Sequence, residues 1–138
     1  MTQIRDELIS LNDGALTTRR PEDDIRHCDV YDSGGEKLGH VSDLLVDKSE
    51  HHVRLMEVGH GGLLGIGESK VLVPIDAIVR IDGDSVHINR ARSHVSEAPR
   101  YDPEVVDEDD YYNELYGHYG VAPYWGAGYI YPGYPFLI

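Results

Sequence analysis

The chain has 138 residues, 41% of them hydrophobic, and a formal net charge of −13 at pH 7. This length fits one small domain with extensions, and no segment is long and apolar enough to span a bilayer. Residues 93–138 hold eight acidic side chains and one basic side chain, so the acidity is concentrated in the C-terminal part. Such a surface repels phosphate backbones, which disfavours direct nucleic-acid binding and favours a basic protein surface as the partner.

The first segment, residues 1–24, is predicted to be an arm that leads into the domain. A short helix is predicted over Ile4–Leu11, ended by Asn12-Asp13-Gly14, and the rest of the arm is predicted to be extended. The start of the chain lacks the basic and apolar regions of a signal peptide. Cys28 has no second cysteine to pair with. We therefore expect a cytoplasmic protein.

Residues 25–92 predict a small domain of short β-strands. The predicted strands cover residues 26–32, 38–46, 52–58, 70–74, 79–81 and 86–88. Glycine turns join several of them, at Ser33-Gly34-Gly35 and at Asp82-Gly83-Asp84. A bulge is expected near Gly39, because the apolar residues of the second strand do not alternate strictly. A single helical turn is predicted at residues 74–78. The side chains expected in the core are Val30, Leu44, Val46, Leu55, Val71, Val73, Ile81 and Ile88.

Several short motifs recur here in a characteristic order. They are Val30-Tyr31-Asp32, Gly35, Gly39-His40-Val41, Asp43-Leu44-Leu45-Val46-Asp47, Gly61-Gly62-Leu63 and Val73-Pro74. Together they resemble the PRC-barrel domain family, named for the cytoplasmic domain of the photosynthetic reaction-centre H subunit. The resemblance covers residues 25–92 and implies a mainly β fold, a barrel of about six strands. It also implies a module that docks on larger assemblies and shares no catalytic motif.

The C-terminal part falls outside this resemblance. Residues 93–120 are predicted to be an acidic connector with a short helix at Glu104–Tyr116, N-capped by Asp102. Residues 121–138 form an uncharged tail rich in Gly, Pro and Tyr. Large amphipathic rings suit interfaces, so the aromatic residues are the candidate partner-binding side chains. They are Tyr112, Tyr116, Tyr119, Tyr124, Trp125, Tyr129, Tyr131, Tyr134 and Phe136. The sequence leaves open whether they pack on another protein or fold back over the barrel.

No catalytic, cofactor-binding or metal-binding residue is predicted. The glycine-rich stretch at residues 59–67 leads into a strand, whereas phosphate-binding glycine loops open a helix. His51 and His52 are adjacent and face opposite sides of a strand, and no carboxylate or cysteine pattern at zinc spacing accompanies them.

The leading hypothesis is a non-enzymatic structural subunit that docks on a larger protein complex. Its most concrete version is a subunit on the basic cytoplasmic face of a photosynthetic reaction centre, held peripherally at the inner membrane by protein partners. The alternative is a soluble, homo-oligomeric adaptor or stress-associated protein. A weaker alternative is an accessory protein in RNA processing or ribosome maturation.

Overall fold

A computed structural model of the chain describes residues 8–11, 24–47, 52–60, 69–99, 108–126 and 129. The described part is mainly β. Its strands are β1 (Leu8–Ser10), β2 (Asp29–Tyr31), β3 (Lys37–Asp47), β4 (Val53–His60), β5 (Ser69–Pro74), β6 (Ile78–Asp82) and β7 (Ser85–Ile88). A 3₁₀ turn at Ile75–Ala77 joins β5 to β6, and the helices are α1 (Arg92–Ser96) and α2 (Glu108–Tyr119).

The seven strands form one curved sheet in the order β5-β4-β3-β2-β7-β6, and β1 pairs with the second half of β3. All neighbours are antiparallel except β2 and β7, which run parallel. Within the described residues no pairing between β5 and β6 closes the ring. The barrel is therefore open between its two end strands. This agrees with the predicted small PRC-type β-barrel.

The turn between β2 and β3 is fixed by the carboxylate of Asp32. Its Oδ1 accepts hydrogen bonds from the backbone N–H groups of Gly34 (2.9 Å) and Glu36 (2.7 Å). Its Oδ2 accepts one from the N–H of Arg92 (3.0 Å), at the start of α1. Gly35 adopts a positive φ of 84°, which a residue without Cβ tolerates best. One buried side chain thus joins the first hairpin to the end of the barrel.

The predicted bulge lies beside Gly39. The pairing of β2 with β3 changes register between Val30, opposite Gly39, and Tyr31, opposite Lys37. A Cβ atom on Gly39 would stand 2.0 Å from the carbonyl oxygen of Gly59 on β4. Only glycine permits this close approach of the two backbones, which bends the sheet at this point.

The core confirms most of the predicted buried side chains. Seven of them are buried, namely Val30, Leu44, Val46, Leu55, Val71, Val73 and Ile88. Ile81 is only partly buried, because it lies on β6, which is an end strand of the sheet within the part of the chain that the structure describes. The hairpin at Asp82-Gly83-Asp84 and the helical turn after Pro74 are also present.

Two local predictions were wrong. Leu8–Ser10 is a strand rather than part of a helix, because it pairs with Leu45–Asp47 along the free edge of β3. The first barrel strand starts at Asp29 rather than at residue 26. Before it the chain turns, with His27 at a positive φ of 76° and the Cys28 N–H bonded to the Ile25 carbonyl (3.2 Å).

Candidate docking surface

The C-terminal helix α2 has one buried face and one exposed face. The described part of the helix runs from Glu108 to Tyr119, three residues past the predicted end at Tyr116, while the predicted start at Glu104 and the predicted Asp102 N-cap lie outside the described residues. Its buried side chains are Tyr111, Tyr112, Leu115, Tyr116 and Tyr119. Asp110, Asn113, Glu114 and Gly117 are exposed. Helix α2 packs against β5. Three of the predicted partner-binding tyrosines therefore belong to the chain's own core.

The segment after α2 adds further aromatic rings to this core. The chain turns at Gly120, which has a positive φ of 68°. Tyr124 is buried, and Trp125 is partly buried. The Trp125 ring meets Tyr116 at 5.3 Å and Tyr124 at 5.0 Å between centroids, both in edge-on geometry. Edge-to-face contacts of this kind add stability beyond the area they bury.

Two aromatic rings of this segment, Tyr124 and Tyr129, lie over a buried ion pair. Arg54 on β4 is 7% exposed, and its Nε donates to Asp47 Oδ1 at 3.1 Å. The guanidinium carbon lies 5.0 Å from the Tyr124 ring centroid and 5.7 Å from that of Tyr129. Removing a charge from water is costly unless it is paired. Here the carboxylate and the two ring faces provide that compensation.

Asp76, in the 3₁₀ turn, forms a hydrogen bond with the last described residue of the tail, Tyr129. The hydroxyl of Tyr129 donates to Asp76 Oδ2 at 2.9 Å. Burial raises the pKa of Asp76, and the Tyr129 hydrogen bond opposes that rise. Burial, followed by the nearby Asp76 carboxylate, also raises the pKa of Tyr129. This contact anchors the tail to the barrel at Asp76.

A histidine pair joins the two helices. The imidazole rings of His94 on α1 and His118 on α2 stack with centroids 4.3 Å apart. His94 Nε2 donates to the carbonyl of His118 (2.9 Å), and His118 Nε2 donates to the carbonyl of His94 (2.7 Å). Arg90 donates to the Tyr119 carbonyl. The end of α2 is therefore bonded directly to the end of the barrel domain.

The candidate partner-binding residues fall into three groups by their burial in the structure. Tyr112, Tyr116, Tyr119 and Tyr124 are buried within the chain. Trp125 and Tyr129 keep part of their surface exposed while packing on the core. Tyr131, Tyr134 and Phe136 lie outside the described residues. Contact of any of these residues with a partner stays a prediction.

The sequence analysis missed Arg54, Asp47 and Asp76 as the polar centre under the tail. The available signal was an arginine inside the apolar run Val53–Val58. A charge within a buried strand needs a partner, but the sequence does not say which acid provides it.

Metal-binding clusters and the cysteine thiol were two possible sources of chemistry in the described residues. These residues contain no group of three or more His, Cys, Asp or Glu side chains that could hold a metal ion. Burial, then the charges of Asp84, Asp24 and Asp29, raise the pKa of the Cys28 thiol, which disfavours the reactive thiolate. None of the helices described is long and apolar enough to cross a membrane.

A second surface lies on the opposite end of the sheet, at β6 and β7. Tyr31, His87 and Arg80 form a row across β2, β7 and β6, with Tyr31 and His87 stacked at 5.4 Å. Arg80 Nη2 lies 3.1 Å from His87 Nε2. Beside this row is a groove of about 500 Å³, and Val79 at its margin is 54% exposed. Arg80 is exposed, and Tyr31 and His87 are partly buried.

The comparison with known families agrees with the fold. The family model described as the PRC-barrel domain matches residues 22–95, just over half of the chain. The match begins before β2 and ends within α1, so α2 and the aromatic segment follow it. No curated protein shows significant similarity to the chain.

Proposed function

Because the chain belongs to the PRC-barrel domain family, whose members mediate protein–protein interactions, we propose that it is a non-enzymatic structural subunit that docks on a larger protein complex. The observation that carries the proposal is the partial exposure of Trp125 and Tyr129 at the surface of an otherwise buried aromatic layer. Exposed amphipathic rings held on a rigid support are typical anchors of protein interfaces.

The charges next to this aromatic surface indicate the kind of partner. The solvent-facing side of α2 carries Asp110 and Glu114, and Trp125 packs on Tyr116 of the same helix. A partner with a basic patch beside an apolar pocket would match both features. One such partner is the cytoplasmic face of a membrane complex, such as a photosynthetic reaction centre. This choice of partner is based on analogy with the family.

A homo-oligomeric adaptor is the second candidate function. It is favoured by the largely exposed strand β6, which carries one positive and one negative side chain, Arg80 and Asp82. The two functions are compatible, since β6 and α2 lie at different ends of the sheet order.

Co-purification from native extract tests the docking surface. Full-length protein, Trp125→Ala and Glu114→Lys are compared, with Glu36→Lys as the control. Glu36 is also exposed, but it lies on the turn between β2 and β3. Partners recovered with the wild type and with Glu36→Lys should be lost from Trp125→Ala. Glu114→Lys should weaken recovery most at low salt, where charge contacts are least screened.

Thermal melting of each variant separates lost binding from lost folding. Glu114→Lys changes only an exposed helix position, so it should melt within a few degrees of the wild type. If folded Trp125→Ala and Glu114→Lys retain the same partners as the wild type, the docking surface has been assigned wrongly.

A further inference from the structure

The two end strands of the open sheet, β5 and β6, differ in how far they are covered by the rest of the chain. Both helices pack against β5, and the β5 residues 71–74 are all buried. Among the described strands β6 pairs with β7 alone, and Val79, Arg80 and Asp82 on it are exposed. An end strand carries backbone N–H and C=O groups without ladder partners, and these can pair with another strand. The sheet therefore has one covered end strand and one uncovered end strand.

The uncovered strand carries two opposite charges on one face. Arg80 and Asp82 flank Ile81, so both project to the side of the sheet opposite Ile81. Arg80 contacts His87, and within the described part of the chain neither Arg80 nor Asp82 forms an ion pair. Ile81 itself is only partly buried.

We propose that β6 pairs antiparallel with β6 of a second copy of the chain, about a two-fold axis at Ile81. In this register Arg80 stands opposite Asp82 of the second copy, and Asp82 opposite its Arg80. The two Ile81 side chains face each other across the axis and cover their exposed portions. The short sequence Arg80-Ile81-Asp82 is thus complementary to itself, which is the requirement for a two-fold interface.

Two features limit this pairing to a dimer. The pairing of β6 with β7 shifts register between Ile78 and Arg80, so a bulge at Val79 interrupts the regular edge. The other end strand, β5, is packed against by α1 and α2, so a third copy has no comparable strand to add to. The dimer does not depend on the proposed docking through α2.

Charge-swap variants of the full chain test the register. Arg80→Asp places two carboxylates opposite each other at both ends of the pairing, and Asp82→Arg places two guanidinium groups there. Each single variant therefore makes two repulsive pairs per dimer. The double variant Arg80→Asp/Asp82→Arg restores two attractive pairs with reversed polarity.

Mixing the two single variants provides a further control. In a heterodimer of Arg80→Asp with Asp82→Arg, one cross-strand pair joins two native side chains and the other joins two substituted side chains, and both pairs are attractive. Homodimers of either single variant keep their repulsion. Sedimentation equilibrium at physiological salt measures the dissociation constant while the mutual repulsion of two acidic chains is screened.

We expect a dimeric wild type and a dissociation constant raised about tenfold or more in each single variant, with recovery in the double variant and in the mixture. Circular dichroism should show every variant folded, since both positions are exposed. A wild type that stays monomeric at millimolar concentration would overturn the proposal. So would single variants that dimerise like the wild type, or a double variant that does not recover.

Discussion

Replacement of Asp32 by alanine should destabilise the fold strongly, because its carboxylate fixes the turn of the first hairpin. The carboxylate is 7% exposed and accepts three backbone hydrogen bonds, from Gly34, Glu36 and Arg92. A hydrogen bond to a charged group contributes about 1.5–3 kcal/mol. Water can replace the carboxylate at the exposed Gly34 and Glu36, so we expect a loss of about 2–4 kcal/mol rather than the full sum.

The matched variants separate the hydrogen bonds from the charge. Asp32→Asn keeps one acceptor oxygen but presents an NH₂ group to one of the N–H donors. It should therefore lose about 1–2 kcal/mol. Asp84→Asn removes the same charge from an exposed position in the β6–β7 turn and should change stability by less than about 0.5 kcal/mol.

The effect of Asp32 should depend on pH with a defined sign. Burial alone would raise the pKa of Asp32, but the backbone N–H groups of Glu36, Arg92 and Gly34 outweigh it and lower that pKa. Because the folded-state pKa is below the unfolded value of about 3.9, the stabilisation is complete above that value. It is lost as the pH falls further, through the folded-state pKa. The difference between the wild type and Asp32→Ala should therefore shrink only in acid.

Urea unfolding at neutral pH and along a descending pH series measures these quantities. An Asp32→Ala protein within about 0.5 kcal/mol of the wild type at neutral pH would refute the assigned role of the carboxylate. A difference that grew as the pH fell would refute the sign of the pKa shift.

Two further predictions concern the packing of the sheet and the tail. Gly39→Ala should lower the free energy of unfolding by at least about 3 kcal/mol, because its Cβ would lie 2.0 Å from the Gly59 carbonyl oxygen. Gly117→Ala should raise it by about 0.5–1 kcal/mol, because Gly117 is exposed on α2 and its Cβ would have nothing within 4 Å. Urea unfolding checks both, and equal stabilities would contradict the close approach. Tyr124→Ala should lose about 3–5 kcal/mol of stability, while Tyr124→Phe, which keeps the ring over Arg54, should lose less. Thermal melting distinguishes them, and a Tyr124→Ala protein as stable as the wild type would show that the tail does not cover the ion pair.

The strands and turns of the barrel could be predicted because their signals are local. Alternating apolar residues mark Val86 and Ile88 as inward-facing, and both are buried. The glycines at 35 and 83 mark turns, and both have positive φ. Such patterns depend on residues that are neighbours in the sequence, so no knowledge of the whole fold is needed.

Contacts between residues far apart in the sequence could not be predicted in the same way. Leu8–Ser10 is a strand only because β3 offers it a free edge, and that edge is absent from the local sequence. The His94–His118 pair joins residues 24 positions apart. Arg54 pairs with Asp47, out of the many acidic residues in the chain, because the fold places the two side chains side by side. Each of these depends on the finished fold, which overrides local propensity.

The packed core extends further along the sequence than the match to the family. The match ends at residue 95, yet Tyr116 and Tyr124 beyond it are buried with the barrel residues. The Tyr124 ring lies 5.0 Å from the guanidinium carbon of Arg54, and the Tyr129 hydroxyl donates to Asp76. Arg54 and Asp76 are both within the matched region. Without these rings the buried ion pair of Arg54 would lose part of what compensates its desolvation. We infer that the barrel, residues 108–126 and Tyr129 form one folding unit, at whose surface Trp125 and Tyr129 are partly exposed.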